Sequence, residues 1–510
     1  VALLAALATL LLVPAANAAD TIYWGNEGGS FAGVRLGNLG GGGGAYLFAG
    51  ETPCGVAINP AAGPSGQIYW ANWGSGAIRV GNLDGTGAQD LIPGQNGPCG
   101  VAIDPTANKI YWASYSGDTI RVADLDDGSP VGDLFVPADG VGDGPSGVAI
   151  DPNPLDPAGG KIYWTTQDGN QIQVGNLDGT GSVANLFIGE DNPIGVAIDP
   201  AGGTIYWANC GGGDLCSGSA PGTIRRGDLD GTDAVTLFDR AVPADNVNSG
   251  PAGVAIDPTA NKIYWATFGS STVQAGNLDG TGSATQLFGS PFTESFSNFP
   301  ALLRAPVGSE PPAISGAAQI GKQLTCSQGG WAPDLLGAFL YRAPHDFTYE
   351  WLRDGNSIAG ANQATFTPTL AGSYTCRVTA SNRAGSASQE SAATTVVFTG
   401  PISLGVKCQS VAPGRKWLAT MNARTTSTSR TTASGGRIPR TTGQVTCTVL
   451  KANPDTALFA ATNLTPPGGT QLQGASQIFT ATATPGPAQI VYTLSFGTAS
   501  ITMTFKLTVV

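Results

Sequence analysis

The dipeptide Tyr-Trp occurs six times, beginning at Tyr23, Tyr69, Tyr111, Tyr163, Tyr206 and Tyr264. The intervals are 46, 42, 52, 43 and 58 residues, so one unit of about 43 residues recurs with insertions, as in a repeat architecture. Each unit holds four pieces in constant order. An apolar run such as Gly100-Val101-Ala102-Ile103-Asp104-Pro105 is bounded by Gly and Pro, which suits a strand buried on both faces. The Ile-Tyr-Trp strand follows. An alternating stretch, Ile78 to Leu83 for example, then closes on the turn signal Asp84-Gly85. A short apolar strand such as Leu186-Phe187-Ile188 completes the unit. Four antiparallel strands per unit make one β-propeller blade. Six Tyr-Trp strands face only five Gly-Val-Ala-Ile strands. The missing inner strand is expected at Pro300 to Arg304, pairing with Thr21 to Trp24 to close a ring of six blades.

These units resemble the YWTD repeats of the low-density-lipoprotein-receptor class B family, a six-bladed propeller, over residues 19–306. The resemblance includes the Asn-Leu-Asp-Gly-Thr-Gly turn at Asn82, Asn176 and Asn277. It departs at the two positions after Tyr-Trp, which read Gly25-Asn26, Ala71-Asn72, Ala113-Ser114, Thr165-Thr166, Ala208-Asn209 and Ala266-Thr267. A polar group stands where the family has Asp, so a hydrogen-bonding role is expected without the charge.

Beyond the linker Pro306 to Pro312 the pattern changes. Cys326, Trp351 and Cys376 are evenly spaced, with Tyr374 two residues before the second cysteine. This is the disulfide, core Trp and tyrosine corner of an immunoglobulin-like sandwich. Residues 311–397 resemble the immunoglobulin-like modules of bacterial secreted proteins. Residues 400–510 show strand-like alternation at Gln444 to Leu450, Gln477 to Ala483, Ile490 to Phe496 and Ile501 to Val510, and are expected to form a small β-sandwich. Its stretch near 424–442 is poor in apolar residues and is expected as a flexible basic loop. The fold class expected is therefore all-β: propeller, immunoglobulin-like domain, β-rich C-terminal module.

Residues 1–18 read as a signal peptide, with an apolar run to Val13 and a small-residue cleavage site at Ala16-Asn17-Ala18. No apolar run is long enough for a transmembrane segment. A secreted or cell-surface location makes disulfides the natural reading of the eight cysteines. Cys326 with Cys376, Cys210 with Cys216, and Cys408 with Cys447 are the expected pairs. Cys54 and Cys99 occupy the same position in successive inner strands; whether they pair depends on their Cα separation. The net charge of −12 is divided unevenly. The propeller region is strongly acidic, through its Asp-Gly turns and Asp-Pro strand ends, whereas the region from Phe398 has one acid, Asp455, against nine bases. That basic module is a candidate for contact with an anionic cell-wall polymer; no specific nucleic-acid partner is expected.

One histidine, His345, serves the whole chain, so Ser-His-Asp or Cys-His chemistry in the propeller is excluded. No cofactor is expected, although oxygen-rich Asp-Gly loops could hold structural Ca²⁺. The favoured expectation is a non-enzymatic protein that binds an extracellular protein or glycan. Its candidate ligand-binding residues are Trp73, Tyr115 and Phe268, each just past Tyr-Trp, with Asp239 and Asp245 bounding and lying within a long insertion. Two alternatives stand beside it: an enzyme with a carboxylate site at the channel mouth, and a structural envelope protein.

Overall fold

The computed structural model describes residues 20–27, 32–211, 222–239, 250–268, 272–289, 296–397, 400–410, 417–497 and 499–510, with 296 and 297 as backbone alone. The expected signal peptide, Cys216 and Asp245 lie outside the described residues. The chain forms two compact units: Val1–Pro311 with Gly329–Thr348 and Val378–Gln389, and Pro312–Gln328 with Tyr349–Arg377 and Glu390–Val510.

The first unit is an all-β propeller of six blade sheets. Blade 1 joins Thr21–Glu27, Gly33–Asn38 and Gly42–Ala49 to Phe296–Leu303 as its inner strand. Ile22 pairs with Leu302 and Tyr23 with Ala301, so the two ends of the repeat region share one sheet. The inner strands of blades 2 to 6 are Pro53–Asn59, Pro98–Asp104, Pro145–Pro152, Pro193–Asp199 and Gly250–Asp257.

Tyr-Trp is a packing device. All six Trp rings of these pairs are buried, five of them fully. Five of the six blades send an apolar ring onto the next blade's Trp: Phe48 on Trp70, Phe135 on Trp164, Phe187 on Trp207, Phe238 on Trp265 and Phe288 on Trp24, with centroids 4.7–5.5 Å apart. Such pairs add about 0.5–1.5 kcal/mol each beyond area burial. The Gly before each Asn-Leu-Asp-Gly turn makes room for that ring, since a Cβ on Gly81 would lie 2.5 Å from Phe48 Cζ. Around the axis the Gly of Gly-Val-Ala-Ile serves a similar purpose: a Cβ on Gly55 would lie 2.8 Å from the Cys99 carbonyl oxygen.

Residues 329–348 and 378–389, expected within an immunoglobulin-like domain, belong to the propeller's unit, and with them His345, so the location behind the exclusion of histidine chemistry from the propeller is corrected. A 3₁₀ turn at Leu336–Ala338 and the short strand Leu340–Tyr341 enter the ring at the Asp-Pro ends of the inner strands. Leu340 and Tyr341 pair in parallel with Leu302 and Leu303, and Ala338, Leu340 and Tyr341 are buried. This end of the channel is thus filled by the chain's own apolar segment.

In the second unit Cys326 bridges Cys376, Trp351 is fully buried, and the Tyr374 hydroxyl donates to the Leu370 carbonyl at 2.8 Å, which is the tyrosine corner. Residues 402–509 form two five-stranded sheets around one apolar core. Cys408 faces Cys447 across adjacent strands, with Cα atoms 4.1 Å apart. The flexible loop expected near 424–442 is corrected here. Thr428–Ile438 is a strand paired in parallel with Ala499–Val509, Thr428 opposite Ser500 and Ile438 opposite Val509. Its Thr-rich alternation suits a half-exposed strand whose apolar side is supplied by the partner.

Candidate functional site

Each inner strand starts at the face where the second and third strands connect. The residue three past each Trp lies on that rim: Glu27, Trp73, Tyr115, Gln167, Cys210 and Phe268 in blades 1 to 6. Trp73 is 38 % exposed and meets Tyr115 of the adjacent blade edge-on, with centroids 5.5 Å apart. The Tyr115 hydroxyl donates to Asp168 Oδ2 at 2.8 Å, so blade 4 fixes the ring of blade 3. Asp118 accepts from Gly144 N at 2.9 Å and Asn96 donates to the Ser116 carbonyl at 2.8 Å, pinning the same loops. Trp73 and Tyr115 therefore form a braced aromatic platform flanked by polar groups.

Phe268 does not join that platform. It is half-buried and leans on the cluster of Cys54, Cys99, Ile194, Cys210, Ala252 and Phe299 at the channel axis. Cys54 and Cys99 form a disulfide, with Cα atoms 4.8 Å apart, so adjacent inner strands are bridged. Asp239 is exposed at the end of the outer strand Val235–Asp239, away from Trp73 by three blades. The pairing of Cys210 with Cys216 falls on a residue outside the described set.

Glu27 is the rim residue that sequence reasoning missed. Burial pushes its carboxyl up to about 7, against a hydrogen bond from Asn298 Nδ2 at 3.3 Å that acts the other way. The signal was present, since Glu27 occupies the register of Trp73 and Tyr115, but an acid among aromatics does not stand out without the repeat alignment. Burial also pushes the phenols of Tyr23, Tyr69 and Tyr163 up to about 12, which keeps them neutral.

A second missed feature supplies charge beside the polar position two past Tyr-Trp. Where Asn follows Tyr-Trp-Ala, a Glu from the loop before that blade's inner strand supplies the charge. Glu51 accepts from Asn72 Nδ2 at 2.5 Å and pairs with Arg79. Glu190 accepts from Asn209 Nδ2 and Trp207 Nε1, both at 2.7 Å, and pairs with Arg225 at 2.5 Å. Arg79 and Arg225 lie over Trp70 and Trp207, at 5.6 and 5.3 Å from the ring centroids. In both blades the charge is supplied by a loop and not by the strand.

The acids of the Asp-Gly-Thr turns are occupied locally. Asp84, Asp178, Asp230 and Asp279 each accept from the backbone N–H and hydroxyl of the Thr two residues on; for Asp84 the Ser65 hydroxyl first and then Thr86, and for the other three the Thr, hold the carboxyl below the usual range. Asp124, Asp126 and Asp127 bring carboxylate oxygens within 4.8 Å of one another. Asp124 already pairs with Lys109 and Asp127 accepts from Ser129 N, so the cluster has internal partners. No helix among the described residues is long and apolar enough to cross a membrane.

No family model matches the chain, and no curated protein matches it significantly. Similar solved structures include a nidogen/laminin complex, at 17 % identity over 56 % of this chain and 98 % of that one, TM-score 0.43. TolB from Acinetobacter baumannii aligns at 15 % identity over 56 % of this chain and 67 % of that one, TM-score 0.41. A streptogramin B lyase aligns at 14 % identity over 52 % of this chain and 84 % of that one, TM-score 0.36.

Proposed function

We propose that this chain is a secreted, non-enzymatic binding protein whose propeller, of the low-density-lipoprotein-receptor class B kind, recognises an extracellular protein or glycan. The observation that carries this reading is the Trp73–Tyr115 platform, braced by Asp168 and open to solvent at Trp73. Rigid aromatics with nearby acceptors are the usual anchors of recognition surfaces. Three disulfides whose two cysteines both lie among the described residues support an oxidising compartment.

The test is binding of wild-type protein and Trp73→Ala to glycan and extracellular-protein arrays, with Asp239→Asn as a control on a distant blade. Loss of at least tenfold in affinity for Trp73→Ala alone is the expected result. Equal binding by all three proteins would remove the platform from consideration.

The carboxylate-enzyme reading gains one observation, the raised Glu27 carboxyl. Glu51, in the loop that leads into the second blade's inner strand, is committed to Arg79 and Asn72.

A further inference from the structure

The stretch Gly-Val-Ala-Ile-Asp-Pro-Thr-Ala-Asn-Lys-Ile-Tyr-Trp-Ala occurs twice without change, at residues 100–113 in blade 3 and 253–266 in blade 6. The two copies sit in different surroundings. In blade 6, Asp257 is 2 % exposed; its Oδ1 accepts from Ala260 N at 3.0 Å and its Oδ2 takes the Arg304 guanidinium. Arg304 also meets Asp20 at 3.1 Å, and Arg342 Nη1 donates to Thr259 Oγ1 at 2.6 Å. Two arginines of this chain thus cover the acid and the hydroxyl of that copy.

In blade 3 the same acid, Asp104, is 5 % exposed, and its Oδ1 accepts from Thr106 N and Ala107 N at 2.9 and 3.1 Å. Its Oδ2 takes no hydrogen bond or ion pair from a described residue. Asp104 and Thr106 instead line a cleft of about 640 Å³ at the filled end of the channel. Asp151 and Asp334 also line it, together with apolar walls from Ile150, Pro152, Leu335 and Leu336. No Lys, Arg or His is among its lining residues. Where blade 6 receives Arg304 from its neighbour, blade 3 receives another acid, Asp151. That carboxyl is raised by burial and then by Asp156, as expected where negative charge lacks a counter-charge. The three acids do not converge closely enough to share one metal ion.

We propose that this cleft binds a guanidinium group, the side chain of an arginine presented by a peptide, with the head on Asp104 and the alkyl stem on Leu335, Leu336 and Pro152. The chain itself supplies the precedent, because an identical sequence already holds an arginine at the equivalent acid. Planar guanidinium matches a carboxylate whose other oxygen is fixed by backbone N–H groups. The stem finds the apolar surface that a small inorganic cation would leave uncovered. The cleft lies at the opposite blade end from Trp73, so this site is separate from the aromatic platform.

Calorimetric titration of the full chain with acetyl-Gly-Arg-Gly-amide, its citrulline counterpart and free L-arginine tests the assignment. The arginine peptide should bind at least tenfold tighter than the citrulline isostere, and Asp104→Asn should abolish that preference. Preferential binding of free arginine, equally dependent on Asp104, would keep the guanidinium assignment and name a small molecule as its source. Asp151→Asn serves as the second variant should Asp104→Asn fail to fold, and should weaken the arginine peptide severalfold. Asp84→Asn, on an exposed turn, should change nothing. Equal affinity for arginine and citrulline peptides, no binding of either, or equal losses in Asp104→Asn and Asp84→Asn would overturn the proposal.

Discussion

Glu27 shows how one rim position can carry different chemistry in different blades. Its carboxyl is pushed up to about 7 because burial outweighs the hydrogen bond from Asn298. The unfolded chain releases this proton near pH 4.3, so between the two values the folded state holds more protons. The associated stability is full below about pH 4 and is lost as the pH rises through about 7. Glu27→Gln stays neutral throughout. Its melting temperature should match wild type at about pH 3.5 and exceed it at about pH 8, by an equivalent of at most about 4 kcal/mol. Thermal melts at the two pH values decide this; the same difference at both would show that the carboxyl is not perturbed. Trp73 was legible in the sequence because it is an aromatic just past a repeat motif. Glu27 was not, because burial of a carboxyl depends on the neighbouring strand, here the one carrying Asn298.

Among the elements, those with strong local chemistry were legible and those supported by distant partners were not. The Asp-Gly-Thr turns declare themselves: Asp84 accepts from Thr86 N and Oγ1, a local bond that needs no tertiary help. Residues 428–438 gave the opposite signal, since Thr, Ser, Gly and Arg there lack apolar content. They become a strand because Ala499–Val509 presents a free edge and the apolar core side. Hydrogen exchange should show slow amides across alternate positions of 428–438, protected to a degree similar to 499–509. Exchange as fast as an unstructured peptide would restore the loop reading.

At the scale of the whole molecule, Arg304 ties the seam of the ring beside the strand pairing of Ile22 with Leu302. It links Asp20 at the first strand to Asp257 of the last blade, across the seam where the chain's two ends meet. Arg304→Met would leave Asp257 charged and buried without its ion-pair partner, which costs roughly 3 kcal/mol. Denaturant melts should report this loss, and Arg304→Lys should recover part of it. Stability unchanged in Arg304→Met would show that strand pairing alone seals the ring. The channel's other closure, the Leu335–Tyr341 segment, was hidden in a stretch whose neighbours Cys326, Trp351 and Cys376 carry an immunoglobulin signature. The sequence by itself determined what repeats locally: the four-strand unit, its Tyr-Trp and Gly-Val-Ala-Ile strands, its turns, and the ring of six that their count implies. Those follow from periodicity and short-range hydrogen bonding, which a linear chain displays directly. Tertiary structure alone decided which residues meet across blades: Glu51 on Arg79, Arg304 on Asp257, and an open cleft at Asp104. Two identical fourteen-residue segments end in different electrostatic surroundings, because a buried carboxylate responds to what the rest of the fold places beside it.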